Sequence, residues 1–201
     1  MDTNVITISR QFGSLGRPIA KKAAEYLGYK YYDRFIVEEI AKEMNHPVGD
    51  LLNFDEKDQL SVYDRMVSPL GIGPAAQKRR LFEIEKNIII DLAKKDDCVI
   101  VEHCSDYILR SQGIKNLFNI YIYAPYSDRY NYSMRELGLT EKAVENYINQ
   151  VDRARDDFYR LITGEHFYSL KYRDMAINSA QMPIDDIVKS ICSTAELKFK
   201  L

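Results

Sequence analysis

Five short apolar runs, at about Val5 to Ser9, Tyr29 to Tyr32, Cys98 to Val101, Phe118 to Tyr123 and Met175 to Asn178, lack the in-and-out alternation of a sheet wetted on one face. Helical patterns lie between most of them, at Arg17 to Leu27, Arg34 to Glu43, Ala75 to Lys94, Ser105 to Ser111, Ser127 to Glu136 and Glu141 to Leu161, with a last one at Ile184 to Ala195. Strands that are continuously apolar belong in a parallel sheet covered on both sides. The pattern therefore predicts a doubly wound α/β fold, a parallel five-stranded sheet with helices on both faces. Ligands of such sheets bind beyond the carboxyl ends of the strands, where Gly13 to Arg17, Asp33 and Glu102 fall.

The first of these strand ends carries the most chemistry. In "NVITISRQFGSLGRPIAKKAAEYLG" a strand runs into glycines and then into a helix whose apolar side is Ile19, Ala20, Ala23, Ala24 and Leu27. The strict phosphate-loop pattern, Gly, four residues, then Gly-Lys-Ser/Thr, fails here: with Gly16 on its second Gly, the other diagnostic positions are Gln11, Arg17 and Pro18. The architecture nevertheless suits an anion, because the free amides and dipole of a helix's first turn point at the loop. Gly13 and Gly16 permit a bend and a close backbone approach, Ser14 offers a hydroxyl, and Pro18 costs no intrahelical bond in a first turn. Arg17 supplies a cation, with Arg10 as a second. An ordinary strand-to-helix turn with incidental glycines fits the same letters.

With 201 residues the chain is most simply one domain, with 46% hydrophobic residues for a core. A net charge of −2 gives no general drive toward nucleic acid or anionic membrane, so any anion site is local. No leader precedes the first strand and no apolar run approaches bilayer length, which predicts a cytoplasmic protein. Cys98, Cys104 and Cys192 lack CxxC spacing, so neither a disulfide framework nor a zinc site is indicated. His46, His103 and His166 are scattered, and nothing sets an oligomeric state.

Two regions interrupt the alternation. Residues from about 46 to 74 are polar, hold three of the six prolines, and read as a flap; residues from about 139 to 165 form a long charged helical pattern ending at Gly164, which reads as a lid. A kinase must hold donor and acceptor in line and neutralise charge on the transferring group, and planar arginines suit that work. The lid segment has Arg153, Arg155 and Arg160 beside Asp152, Asp156 and Asp157. On one helix Arg153 and Arg160 share a face while Arg155 points elsewhere; a solvated helix laced with ion pairs is the competing reading. On the acceptor side Asp33 and Arg34 close the second strand, as site residues or as a helix cap and a surface cation, and Arg65, Arg79 and Arg80 lie in or just after the flap.

Together, "ITISRQFGSLGRPIAKKAAEYLGYKYYDRFIVEEIAKE", "CVIVEHCSDYIL", "IYIYAPYSDR" and "VDRARDDFYRLITGEHF" with the later "INS" resemble the cytidylate kinase-like family of phosphate-loop nucleoside monophosphate kinases. The resemblance spans nearly the whole chain in order, and that family carries a loop ending in Gly-Arg. It implies a P-loop kinase fold with a flap for the nucleoside monophosphate, and transfer of the ATP γ-phosphoryl group to CMP or dCMP with Mg²⁺ assisting. Ser9, Arg10, Gln11, Phe12, Gly13, Ser14, Leu15, Gly16 and Arg17 would hold the donor phosphates, with Asn178 and Ser179 near the adenine. Arg17, Arg153 and Arg155 would be the catalytic cations, and Asp33, Arg34, Arg79, Arg80, Glu102 and His103 would border the acceptor.

Two departures bear on this. Where the family commonly shows Gly-Arg after the third strand, this chain has Glu102-His103, and a carboxylate there would repel an acceptor phosphate unless it is turned aside onto an arginine. Pro18 removes the usual hydroxyl for Mg²⁺, which leaves Ser14 or waters. A nucleotide-binding protein without catalysis, or a kinase of another small molecule, are the readings that these departures keep open.

Overall fold

The computed structural model describes residues 3–33, 36, 39, 75–136 and 140–200. Five strands, β1 (Val5–Arg10), β2 (Lys30–Tyr32), β3 (Cys98–Val101), β4 (Leu117–Tyr123) and β5 (Met175–Asn178), form one sheet in the order β2-β3-β1-β4-β5. Every pairing is parallel, with β1 central between β3 and β4. The helices are α1 (Gly16–Leu27), α2 (Ala75–Lys95), α3 (Ser105–Ser111), α4 (Tyr126–Glu136), α5 (Glu141–Thr163) and α6 (Ile184–Phe199). The predicted parallel α/β architecture is the one observed. Among the described residues no helix is long and apolar enough to cross a membrane.

Both faces of the three central strands, β3, β1 and β4, are buried, which explains their continuous apolar runs. Successive strand residues point to opposite faces. Ile6, Ile8, Val99, Val101, Ile120 and Ile122 pack with α1 and α6, whereas Val5, Cys98, Ile100, Leu117 and Tyr121 pack with α2, α3 and α5. Each such side chain contributes roughly 1.5–3 kcal/mol when fully buried. β1 runs one residue beyond the expected Ser9, because Arg10 keeps its pairing with Ile122 and is buried to 5% exposure. The expected flap, and most of the helix expected at Arg34 to Glu43, lie outside the described residues, although Ile36 is helical and fully buried.

The amphipathic face of α5 carries Val144, Ile148, Val151, Ala154, Phe158 and Tyr159 inward. Its first part meets Phe12 in a small separate core, so an aromatic side chain from the loop after β1 anchors that loop to α5. Its last part ends on a buried polar group: the Tyr159 hydroxyl donates to Asp106 on α3 at 2.8 Å, and Asp106 also pairs with Arg173. The Arg173 guanidinium lies 5.3 Å above the Tyr159 ring, within cation–π range. Burial lowers its pKa to about 10, against the opposing pull of Glu102 and Cys104. Asp106 is fully buried. Removing one member of such a pair strands the other in low dielectric, so Asp106→Ala should cost about 3–5 kcal/mol in urea denaturation. The same change at Leu197, which is 81% exposed, should stay within about 0.5 kcal/mol. Similar losses at the two sites would contradict this account of the buried pair.

Candidate functional site

The turn from β1 into α1 has the geometry of an anion nest. Gly13 and Leu15 have positive φ, 75° and 64°, while Ser14 and Gly16 between and after them do not. Alternation of hand turns successive N–H groups toward one concave side. The amides of Gly13, Leu15 and Gly16 take no acceptor among the described residues, and the Ser14 amide donates to Gln11 O at 3.3 Å. No acidic residue lies in the first turn of α1 to oppose an anion. Gly16 has no room for a side chain, because a Cβ there would lie 2.6 Å from the Arg10 Cβ and Cδ. A Cβ on Gly13 would come within 2.8 Å of Arg129 O and Ser133 Oγ.

The loop opens on a cleft of about 460 Å³ lined by the residues from Arg10 to Pro18 together with Lys21, Tyr31, Tyr132 and Arg155. That volume suits a small-molecule site. Arg17 pairs with Asp33, which does not itself line the cleft, donating through Nε at 2.8 Å and Nη2 at 3.4 Å, and the Tyr31 hydroxyl donates to the same carboxylate at 3.1 Å. Burial of Asp33 pushes its pKa up, but Arg17 and then Arg10 outweigh that and hold it below the ordinary carboxylate value. Burial and the neighbouring Asp33 charge raise the Tyr31 phenol, which stays protonated as a donor.

Glu102 does not point into the cleft. It is 3% exposed, and its Oε1 accepts from the Arg10 amide at 2.9 Å and pairs with Arg10 Nη1 at 2.8 Å. Its Oε2 lies 3.4 Å from Arg155 Nε. The expected repulsion of an acceptor phosphate is thus met by two arginines. The segment that aims it is strained: Glu102, His103 and Cys104 have φ of 69°, 61° and 52°, a run of left-handed residues without a glycine. Such residues cost about 1–3 kcal/mol each and persist only where the surroundings over-determine them. Here Glu102 N donates to Ile8 O at 3.0 Å and Ser105 N to Glu102 O at 3.1 Å. His103 is 1% exposed, with Nδ1 3.2 Å from Glu85 Oε1 on α2, and it does not line the cleft.

The two lid arginines part company. Arg155 is 4% exposed, donates from Nη1 to Arg10 O at 3.3 Å, and lies 3.6 Å from Asp152. Arg153 has an 85% exposed side chain near Asp157 at 4.0 Å, and Arg160 is exposed, so neither is brought to the cleft. Arg79 is exposed on α2; Arg34, Arg65 and the side chain of Arg80 lie outside the described residues.

A second cleft of about 480 Å³ shares Gly13, Leu15, Pro18 and Tyr132 with the first and continues to Ala124, Arg135, Ser179 and Ala180. Ser179 braces the loop from this side: its hydroxyl donates to Ser14 O at 2.7 Å and its amide to Tyr123 O at 2.9 Å. Asn178 Oδ1 accepts the Ala180 amide at 3.1 Å. Gln11 Oε1 accepts the Ala124 amide at 3.1 Å, and Ser9 is buried in β1, so both act as supports. Sequence reasoning missed Lys21, Tyr132, Asp152 and Arg129. Lys21 had a usable signal, one helical turn beyond Arg17. Asp152 had none: it accepts the Phe12 amide at 2.8 Å and pairs with Arg129 at 2.5 Å, contacts 140 and 23 residues apart.

The donor set suits phosphate better than a metal. Ser14 Oγ sits 2.9 Å from Gln11 O and 3.2 Å from Ile122 O, turned into the backbone, and Pro18 has no hydroxyl. Asp33 and Glu102 are each held by arginine. Among the described residues no three His, Cys, Asp or Glu side chains gather as a cage for an ion.

A model of the cytidylate kinase-like family matches residues 5–181. No curated protein sequence matches the chain. Among solved structures, an uncharacterized protein from Eubacterium ventriosum ATCC 27560 is similar with a TM-score of 0.72 at 19% identity, covering 96% of this chain and 99% of that one. Shikimate kinase from Bacteroides thetaiotaomicron is similar at 0.54 and 13%, covering 98% and 99%. The Bacillus subtilis YorR protein in complex with phosphorylated GDP is similar at 0.53 and 12%, covering 98% and 99%. These likenesses are of fold, that of P-loop kinases.

The Asp33–Arg17 pair sets an acid limb. A carboxyl whose folded pKa is depressed contributes stability that is complete above the unfolded value of about 3.9 and is lost as pH falls through the folded value. Asp33→Asn should therefore lower stability by about 1–3 kcal/mol near neutral pH and by much less below the folded pKa. Urea denaturation at the two acidities checks this; equal losses would mean that Asp33 is not charged in the folded protein.

Proposed function

The chain belongs to the cytidylate kinase-like family, and we propose that it transfers the γ-phosphoryl group of ATP to a nucleoside monophosphate, CMP or dCMP. The observation that carries this reading is the loop, whose Gly13, Leu15 and Gly16 amides take no acceptor among the described residues and open on a cleft lined by Arg10, Arg17, Lys21 and Arg155. In this reading those amides and Arg17 receive the donor phosphates, and the adenosine lies in the second cleft beside Asn178, Ser179 and Tyr132. The acceptor occupies the first cleft, bordered by Asp33 and Arg34 and, from the flap side, Arg79 and Arg80. An acceptor phosphate oxygen then attacks the γ-phosphorus in line as the bond to the β–γ bridging oxygen breaks.

The protein's share of that reaction is placement and charge. Arg10 and Arg155 meet the charge spread over the transferring group, and Arg17 spans the donor phosphates and Asp33. One domain carries this work, with residues 46–74 as the flap and 139–165 as a lid that excludes water. Arg153, on the exposed face of α5 and away from the cleft, has no part in this reading.

One observation favours a second acceptor class, a small molecule without a phosphate. The cleft's arginines are already matched by Asp33 and Glu102, which leaves fewer unspent charges for a dianion.

ATP consumption across a panel of nucleoside monophosphates and neutral polyols should be largest with CMP or dCMP. Turnover only with a neutral acceptor would establish the second class, and ATP binding without turnover would establish a binding protein. Arg17→Ala should weaken ATP binding about tenfold or more, since it removes a charge-assisted contact worth roughly 1.5–3 kcal/mol. Arg155→Ala should lower turnover on the order of 10²-fold with a smaller change in ATP affinity. Full turnover in Arg155→Ala would remove that side chain from the reaction.

A further inference from the structure

We propose that Glu102 is a positioning residue that sets the phosphate loop and α5 in one fixed relation, an anion at the end of β3 that aims two cations. The motif Glu102-His103 is where this chain departs from the family pattern it resembles. In the structure that departure becomes a built device. Glu102 Oε1 takes the amide and the guanidinium of Arg10, and Oε2 faces Arg155. Arg155 in turn donates to the carbonyl of Arg10 at 3.3 Å. The N–H and the C=O of one residue at the mouth of the loop are therefore held by two side chains that also hold each other.

Both arginines line the cleft, so a displacement of the carboxylate displaces two cleft cations and the loop backbone together. The strained backbone makes the aim of that carboxylate specific. Three consecutive non-glycine residues of positive φ turn the chain back under the loop, and an observed outlier of this kind is an argument for a constraint at the site. His103 secures the far side of the turn, with its Nδ1 3.2 Å from Glu85, which is fully buried on α2. The pair thus ties β1, β3, α2 and α5 at one point. A buried ion pair that served only packing would not need its acceptor oxygen on the loop amide or its second oxygen on a cleft cation.

This inference rests on the kinase reading for its kinetic arm alone. Glu102→Gln preserves shape and removes the charge. Hydrogen–deuterium exchange of the variant should be about tenfold faster than wild type both in residues 9–16 and in residues 151–158, because both segments lose a shared anchor. In ATP turnover with whichever acceptor is active, kcat should fall at least about tenfold while the Kd for ATP stays within about threefold. Arg155→Ala should mask part of the effect, so that adding Glu102→Gln to it costs clearly less than Glu102→Gln costs in the wild-type protein. If Glu102→Gln fails to fold, Glu102→Asp, which keeps the charge at shorter reach, should show the same exchange pattern. Unchanged exchange at 151–158, or losses that multiply in the double variant, would overturn the proposal. A wild-type protein inactive with every acceptor would sink the kinase reading, and the exchange measurement would still decide the role of Glu102.

Discussion

From Arg10 to Phe12 the backbone is held almost entirely by groups from distant parts of the chain. Glu102 takes the Arg10 amide and Arg155 its carbonyl; Ile122 O takes the Gln11 amide; Asp152 takes the Phe12 amide and Arg129 its carbonyl. A strand end is normally where pairing stops and the chain frays. Here the ladder is replaced by side chains from the end of β3, from α4 and from α5, so the three residues entering the nest are fixed before the nest begins. The concavity at Gly13, Leu15 and Gly16 depends on this, because amides converge only when the residue before them has a set direction. Phe12, packed with Val144, Ile148 and Val151, adds the apolar part of the same clamp.

The charges in this clamp alternate: Arg10, Glu102, Arg155, Asp152 and Arg129 form a chain of buried or half-buried ions in which each neighbour is opposite in sign. Such a chain is a poor source of net stability, since desolvation of each ion offsets much of the Coulombic gain. What it supplies is geometry. A guanidinium that must face a carboxylate on one side and a carbonyl on another has few orientations left, and a cation with few orientations loses little entropy when a ligand arrives. Leaving any one ion alone is costly, so the members of the chain move together or not at all. The stability of the domain comes instead from the two apolar layers on either face of the sheet.

The layers were legible in the sequence and the clamp was not, for a physical reason. Burial on both faces leaves a local signature, a run of apolar residues, and every strand and most described helices were found within a few residues of where that signature placed them. The nest was legible as glycines between a strand and a helix. The apolar run stops before Arg10, and the strand continues through it because its burial is arranged by Glu102, 92 residues away. The direction of the Glu102 carboxylate depends on left-handed φ at three residues that rarely adopt it, and no spacing rule encodes that. Arg153 and Arg155 were separated correctly by helical geometry, but which of the two faces inward is set by the apolar stripe of α5, where Arg155 sits among Val151, Ala154 and Phe158.

Matched cations also change what binding at this site means energetically. In water-poor surroundings two unit charges about 4 Å apart interact by about 4 kcal/mol at an effective dielectric near 20, so an arginine already facing a carboxylate offers an incoming anion only the difference between two pairings. A cleft of unmatched cations would hold any dianion tightly, product included. A cleft whose Arg17 rests on Asp33 and whose Arg155 rests on Glu102 rewards only a ligand that adds charge where neither carboxylate reaches. Matching the arginines in advance therefore loosens the ground-state hold on any anion, and only contacts that are stronger in a transition state than in the ground state appear as rate.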